Sequence, residues 1–191
     1  LGSDNGISIR IYNNEGSIGF AFTNKLNKKV VEKIVTNAIK MMNAGTSDPN
    51  FKNLPKEYKN YPKVKNLFDD SINTLTIEDS IELIKDLIKV CNEDDQAISQ
   101  SGDFTANYNV SYIFNSNGIE MYGEETLFSI SSNIIVKDKV TGETSNGYES
   151  QMKRKLADIN GTTTATEALK NAKKNLNRIK IKTKKMPIVL T

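Results

Sequence analysis

From Phe104 to Phe114 every second residue is apolar or aromatic (Phe104, Ala106, Tyr108, Val110, Tyr112, Phe114), the residues between are mostly polar, and Asn117-Gly118 follows at once. Such alternation belongs to a strand with two unlike faces. Asn-Gly is the strongest short hairpin signal, because both central positions of a type I′ turn need positive φ. Phe128, Ile130, Ile134 and Val136 then continue the pattern, with Ser132 on the same face. Two strands of this kind in succession predict an antiparallel sheet whose apolar face is covered by helices.

The rest of the chain supplies both. Ile7, Ile9 and Ile11 alternate with Ser8, Arg10 and Tyr12, Asn13 to Gly16 is turn chemistry, and Ile18, Phe20 and Phe22 alternate again, which predicts a second hairpin. From Leu26 the period becomes helical: Leu26, Val30, Val31, Ile34, Val35, Ala38, Ile39 and Met42 share a face, and Gly45 is placed to end the helix. Residues 46–74 hold Pro49, Pro55 and Pro62 without a sustained period and read as a long surface connection. A second helix is expected from the Thr76 N-cap, with Asp79 completing an acidic capping box and Ile77, Ile81, Ile84, Ile88 and Cys91 as its buried face. Thr141-Gly142 and Asn146-Gly147 mark turns, Tyr148, Met152 and Leu156 a further strand. A third helix is expected to start at Thr164 with Glu167 as its box partner, burying Ala165, Ala168, Leu169, Ala172 and Leu176. A last strand is expected over 186–191. The order β-β-α-α-β-β-β-α-β gives an α+β fold, an antiparallel or mixed sheet with helices packed on it.

Composition excludes more chemistry than it suggests. The 191 residues contain no histidine, which removes the commonest general base, the Ser–His and Cys–His pairs and the usual zinc ligand. The single cysteine, Cys91, forms no internal disulfide, fits a reducing compartment, and is expected as a small buried hydrophobe on its helix. No apolar stretch approaches the roughly 20 residues of a membrane helix, and Leu1 to Tyr12 has no signal-peptide pattern, so a cytoplasmic setting is expected.

Three further features invite a functional reading. With Gly118 at the sixth position of a calcium loop, Asn115, Asn117 and Glu124 fall on ligand positions, but the first would be Ile113, and the flanks read as strands. A hairpin is the expected structure. Glu93, Asp94 and Asp95 are expected as a solvated helix end. Eight basic residues without an acid lie between Lys170 and Lys185, leaving 18 basic against 23 acidic residues elsewhere, so the net +3 becomes −5 outside this run. No aromatic interleaves with these lysines, so a solvated basic face is expected before a nucleic-acid site.

Several motifs resemble the TldD/PmbA family in order and spacing. Asn5-Gly-Ile-Ser-Ile-Arg-Ile-Tyr12 followed by Gly16-Ser-Ile-Gly-Phe-Ala-Phe-Thr-Asn24 is similar to the family's opening strands. Ser47-Asp48-Pro49 and Leu54-Pro55 follow the first helix. Ile113-Phe-Asn-Ser-Asn-Gly118 is similar to the family's "NSxG" hairpin, with Ser129, Ser131 and Ser132 behind it, and Met186 to Leu190 resembles the hinge into a second domain. The Ser-Asp-Pro and Asn-Ser-x-Gly details favour the PmbA-like branch. The family's helix and strand before Asn5 are absent here.

The resemblance implies residues 1–185 as an N-terminal α+β domain and 186–191 as the start of a truncated C-terminal domain. It implies peptide-maturing metallopeptidases once called modulators of DNA gyrase, with zinc held by an HExxxH helix in the C-terminal half of TldD-type subunits. PmbA-type subunits lack that helix and pair with TldD as partners. No catalytic, cofactor-binding or metal-binding residue carries over to this chain, and no cofactor is expected in it. The expected role is a non-catalytic scaffold and substrate-channel domain for extended peptides, with a TldD-type subunit or further copies as partner. The alternative is a nucleic-acid or gyrase-associated module using residues 170–185, although DNA is not the expected partner. The sheet itself offers a candidate surface: Thr105, Asn107, Asn109 and Ser111 oppose the aromatic face of one strand, and Ser129, Ser131 and Asn133 oppose Phe128, Ile130 and Ile134 of the next. Uncharged hydroxyl and amide groups hydrogen-bond a peptide without the desolvation cost of ions.

Overall fold

The computed structural model describes residues 2–57, 61–176, 178–179 and 182–188. They gather into two compact units, Leu1–Lys59 with Phe114–Glu120, and Asn60–Ile113 with Met121–Thr191.

In the first unit strands β1 (Ile7–Tyr12) and β2 (Ile18–Thr23) pair antiparallel, in register from Ile7 opposite Thr23 to Tyr12 opposite Ile18. Asn13 shapes the turn between them, its Oδ1 accepting the N–H groups of Glu15 and Ser17, and Gly16 supplies the left-handed residue at φ +80°. Helix α1 (Lys28–Ala44) starts at Asn27, whose side chain accepts the Val30 N–H, and ends at Gly45. Ile34 and Ala38 are buried, Val30, Val31, Val35 and Met42 half-buried, whereas Leu26 and Ile39 are exposed.

The helix sits on the face of β2 that carries Gly19, Ala21 and Thr23. A Cβ at Gly19 would lie 1.8 Å from the Ala38 carbonyl oxygen. The hairpin read from the alternation forms, and its apolar set Ile18, Phe20 and Phe22 lies on the side away from the helix: all three are exposed, Phe22 at 60%. The reason is steric, because only the small residues let the helix backbone approach. On the outward face the Arg10 guanidinium lies over Phe20, and Phe51 stacks on Tyr12 with centroids 4.8 Å apart.

The second unit opens with a 3-10 turn (Asp70–Asn73) and helix α2 (Ile77–Asn92). Strands β3 (Ala97–Phe114), β4 (Glu120–Lys137) and β5 (Thr144–Lys153) form a sheet in that order. A second 3-10 turn (Leu156–Asp158) leads to helix α3 (Gly161–Lys174). β4 and β5 are antiparallel, from Phe128 opposite Lys153 to Lys137 opposite Thr144. The capping box forms as expected, Thr76 and Asp79 exchanging side-chain and backbone bonds.

The core lies between one face of this sheet and both helices: Phe128, Ile130, Ile134 and Val136 are wholly buried with Leu87, Ala165, Ala168 and Ala172. Ser132 shares that face, as its register predicts, and its hydroxyl accepts from Gln100 Nε2, which also bonds the Leu87 carbonyl. α3 is seated at Gly147, where a Cβ would come within 2.2 Å of the Ala168 oxygen and the Ala172 nitrogen. Buried Thr126 ties distant segments together. Its Oγ1 accepts the Asp69 N–H and donates to the Arg154 carbonyl, while its own N–H reaches the Leu67 carbonyl.

Several expectations are corrected in this unit. α2 is rotated from the face first read: Leu87 and Cys91 are buried and Leu83, Ile84 and Val90 half-buried, but Ile77, Ile81 and Ile88 are exposed. The helix is apolar on more than one side, so its period fits two faces, and the pairing with α3 selects one. Asn146-Gly147 lies inside β5, not in a turn; the turn is 138–142, with Asp138 Oδ1 accepting from Val140 and Thr141. Tyr148 and Met152 stand on the exposed face of β5, and Leu156 falls in the 3-10 turn. α3 is capped by Asn160 accepting from Thr163 N–H, not by Thr164, which is buried inside the helix, and Glu167 pairs with Lys170. Residues 182–188 carry no strand, and the end of the expected last strand, 189–191, lies outside the described residues.

Gly147→Ala is expected to destabilise the protein by about 1–3 kcal/mol or more, since the added methyl meets helix backbone that cannot rotate away. Ser150→Ala on the same strand, exposed, serves as the control and should stay within about 0.5 kcal/mol. Urea denaturation followed by circular dichroism checks both.

Candidate functional site

With α2 and α3 on one side of the second unit's sheet, the other side is formed by the alternate positions. β3 places Ser101, Asp103, Thr105, Asn107, Asn109 and Ser111 there, β4 Ser129, Ser131, Asn133 and Ile135, and β5 Asn146, Tyr148, Ser150 and Met152. Register sets Ser131 opposite Ser150 and Asn133 opposite Tyr148. An open depression of about 470 Å³ lies among Ser101, Asp103, Ser131, Asn133, Asn146 and Tyr148. Asp103 Oδ1 accepts the Ser131 hydroxyl at 2.5 Å, and Asn146 Nδ2 reaches Asn133 Oδ1 at 3.4 Å. The strand alternation read from the sequence thus brings Thr105, Asn107, Asn109, Ser111, Ser129, Ser131 and Asn133 onto one surface. Asp103 adds a carboxylate to that surface, and Glu125 and Lys137 of β4 follow the same alternation; the sequence reading overlooked these charges.

The opposite face changes character along the hairpin. Phe104 and Ala106 are half-buried under the helices, but Tyr108, Val110 and Tyr112 are exposed. There Glu124 gathers two phenols: Tyr108 and Tyr122 both donate to its Oε2, at 2.9 and 2.8 Å. Tyr112 lies against Tyr122 at 5.1 Å, and Tyr108 meets the edge of Phe68 at 5.4 Å. The hydrogen bond to Glu124, with some desolvation and the carboxylate's charge, pushes Tyr122 up to about 12 and raises Tyr108 as well. Sequence distance hid this cluster, since Glu124 is 16 residues from Tyr108 and only strand pairing joins them.

The calcium-loop reading of the hairpin fails on partners. Asn115 Oδ1 accepts the N–H groups of Asn117 and Ile119, and its Nδ2 donates to the Pro55 carbonyl at 2.8 Å. Asn117 Nδ2 donates to the Leu54 carbonyl at 2.7 Å and to Asn53. Two of the motifs read from the sequence, Leu-Pro and Asn-Ser-x-Gly, therefore interlock within the first unit. The turn is not type I′: Gly118 has φ +92° and Asn117 does not have positive φ, so a turn over 115–118 is closed by one left-handed glycine.

Cys91 is buried, and burial followed by the nearby Asp94 charge raises its thiol pKa, the reverse of a reactive thiol. The acids after α2 are individually matched: Glu93 with Lys89, Asp94 with Lys173 at 2.5 Å, Asp95 with Lys139. Asp94 is mostly buried rather than solvated. Burial works to raise its pKa, and the Lys173 bond with the Gln96 and Ala97 N–H groups outweighs it, leaving a net lowering. Among the described residues no group of three or more cysteine, aspartate or glutamate side chains is placed to hold a metal ion. The basic run is partly spent: Lys170 pairs with Glu167, Lys173 with Asp94 and Arg178 with Glu143. Lys182 and Lys184 lie in a stretch without a strand, and Lys180 is outside the described residues. No described helix is long and apolar enough to cross a membrane.

Residues 70–176 match the family model described as the PmbA/TldA metallopeptidase central domain. Over 174 residues the chain is 28% identical to an uncharacterised protein of Methanocaldococcus jannaschii, covering 90% of this chain and 37% of that protein. Its fold is similar to that of a candidate modulator of DNA gyrase from Bacteroides thetaiotaomicron, with TM-score 0.80, 23% identity, and coverage of 92% of this chain and 40% of that one. A second candidate modulator of DNA gyrase, from Thermotoga maritima, gives TM-score 0.75 at 13% identity, covering 93% and 39%. TldE from Thermococcus kodakarensis gives 0.69 at 15% identity, covering 86% and 36%. The chain thus spans 36–40% of the length of these relatives.

The phenol–carboxylate cluster has a measurable signature. A raised phenol pKa means the bond contributes fully below the unfolded value of about 10 and is lost as pH rises through about 12. An ultraviolet titration of tyrosinate is expected to show Tyr122 ionising last. Glu124→Gln should return Tyr122 and Tyr108 to the ordinary range near 10.

Proposed function

From the premise that this chain belongs to the TldD/PmbA metallopeptidase family, we propose that it is a non-catalytic substrate-holding domain of a peptide-processing complex. The hydrolytic chemistry resides outside these 191 residues. The observation that carries this reading is the free sheet face, whose hydroxyl and amide groups, together with the Asp103 carboxylate, line an open depression across all three strands. An extended peptide presents a backbone donor and acceptor at every residue. Serine, threonine and asparagine side chains bond such groups in either sense and lose little solvation in doing so. β3 is also an edge of the described sheet, so its outer backbone groups can add a further strand.

The TldE likeness supports a two-subunit assembly of the TldD/TldE kind as the setting. The nucleic-acid alternative has less to stand on: three of the eight basic residues between 170 and 185 are engaged with carboxylates, and none has an aromatic neighbour in the run. A cytoplasmic location accords with this role.

The test replaces Asn107, Asn109 and Ser131 together with lysine and follows binding of a fluorescein-labelled unstructured peptide by anisotropy. Binding is expected to weaken roughly tenfold or more, about 1.4 kcal/mol, with circular dichroism unchanged. Unaltered binding by a folded triple variant overturns the assignment of this face.

A further inference from the structure

The exposed end of the helix-side sheet face joins features that a merely solvated surface does not need. Three tyrosine rings stand at Tyr108, Tyr112 and Tyr122, exposed by 47, 63 and 55%. They are not loose: Phe68 holds one edge-to-face, Tyr112 and Tyr122 hold each other, and two hydroxyls are anchored on Glu124. Val110 adds an apolar floor between Tyr108 and Tyr112, since alternate residues of one strand share a face.

Among the described residues the charge at the centre has hydroxyl donors and no cationic partner. Glu125, one residue on, pairs with Arg154, and Glu93, Asp94 and Asp95 each have a lysine. Among the described residues Glu124 has no cation beside it, and both tyrosines use the same oxygen, Oε2, leaving Oε1 to neither. Ring faces carry negative potential, so three rings around a carboxylate form a surface of one sign built from rigid, apolar bodies. A planar guanidinium satisfies it best: it stacks on the rings and donates to the open carboxylate oxygen, with weaker hydration to lose than an ammonium.

We propose that Tyr108, Tyr112, Tyr122 and Glu124 form a receptor for an arginine side chain presented by a partner subunit. This goes beyond the peptide-holding reading and is independent of it, because a peptide on the hydroxyl- and amide-rich face is separated from these rings by the sheet itself. The occupant is a polypeptide with an exposed arginine, docking on the hairpin from the other side.

The first arm titrates the 191-residue chain with N-acetyl-arginine amide and with its neutral citrulline counterpart, following the tyrosine ring resonances by NMR. Saturable shifts of Tyr108, Tyr112 and Tyr122 are expected with arginine and none with citrulline. Glu124→Gln, which keeps the shape, should weaken the response roughly fivefold. Tyr122→Phe, which keeps the ring and removes one hydroxyl, should retain binding. Equal response to citrulline, indifference to Glu124→Gln, or no saturable response overturns the site. The second arm co-expresses the full-length protein carrying Glu124→Arg with its partner and measures assembly by analytical ultracentrifugation. Loss of assembled species is expected; unchanged assembly overturns the partner assignment.

Discussion

The structure depends on backbone-to-backbone contact between a helix and a strand at a glycine. At Gly147 the seat leaves no room for a Cβ beneath Ala168 and Ala172, and in the first unit Gly19 does the same beneath Ala38. Both seats are matched by alanine on the helix side, buried completely in each case. Close-packed interiors transmit such contacts without slack, so the glycine decides which face of its strand the helix covers. In the first unit this sends Ile18, Phe20 and Phe22 outward. In the second it fixes α3 over Phe128, Ile130, Ile134 and Val136, and the hydroxyl and amide side chains are left on the free face.

Two surfaces of different chemistry follow from that one choice. The free face is mainly hydroxyl and amide groups, with Asp103 engaged by Ser131. The helix-side face, where β3 and β4 run past the helices, carries rings and one carboxylate. Charges elsewhere in the second unit are largely answered locally, as Asp94 by Lys173 and Glu125 by Arg154.

Much of this was legible in the sequence because alternation and capping are local. Phe104 to Phe114, Phe128 to Val136 and the Thr76–Asp79 box depend on neighbours within a few residues, and all form. The failures share a cause in tertiary selection. Ala38, Ala168 and Ala172 were assigned to buried faces, but nothing local says that Gly19 or Gly147 receives them, and Asn146-Gly147 has turn chemistry that the sheet overrides. α2 has isoleucines on one side and Leu83, Leu87 and Cys91 on another, so periodicity alone does not choose. Around α3 several cap-competent residues stand in a row, and Asn160 wins over Thr164 because Thr164 is buried. The aromatic cluster was invisible because it exists only once β3 and β4 are paired.

The central claim is that the hydroxyl- and amide-rich sheet face is where this domain meets an extended peptide, and hydrogen exchange reads it most directly. Amide exchange is compared residue by residue with and without a saturating unstructured peptide. Protection concentrated in residues 103–111 of β3 and 129–133 of β4, with α1 unchanged, is the predicted result. Protection confined to residues 170–188, or none in β3 and β4, would contradict it.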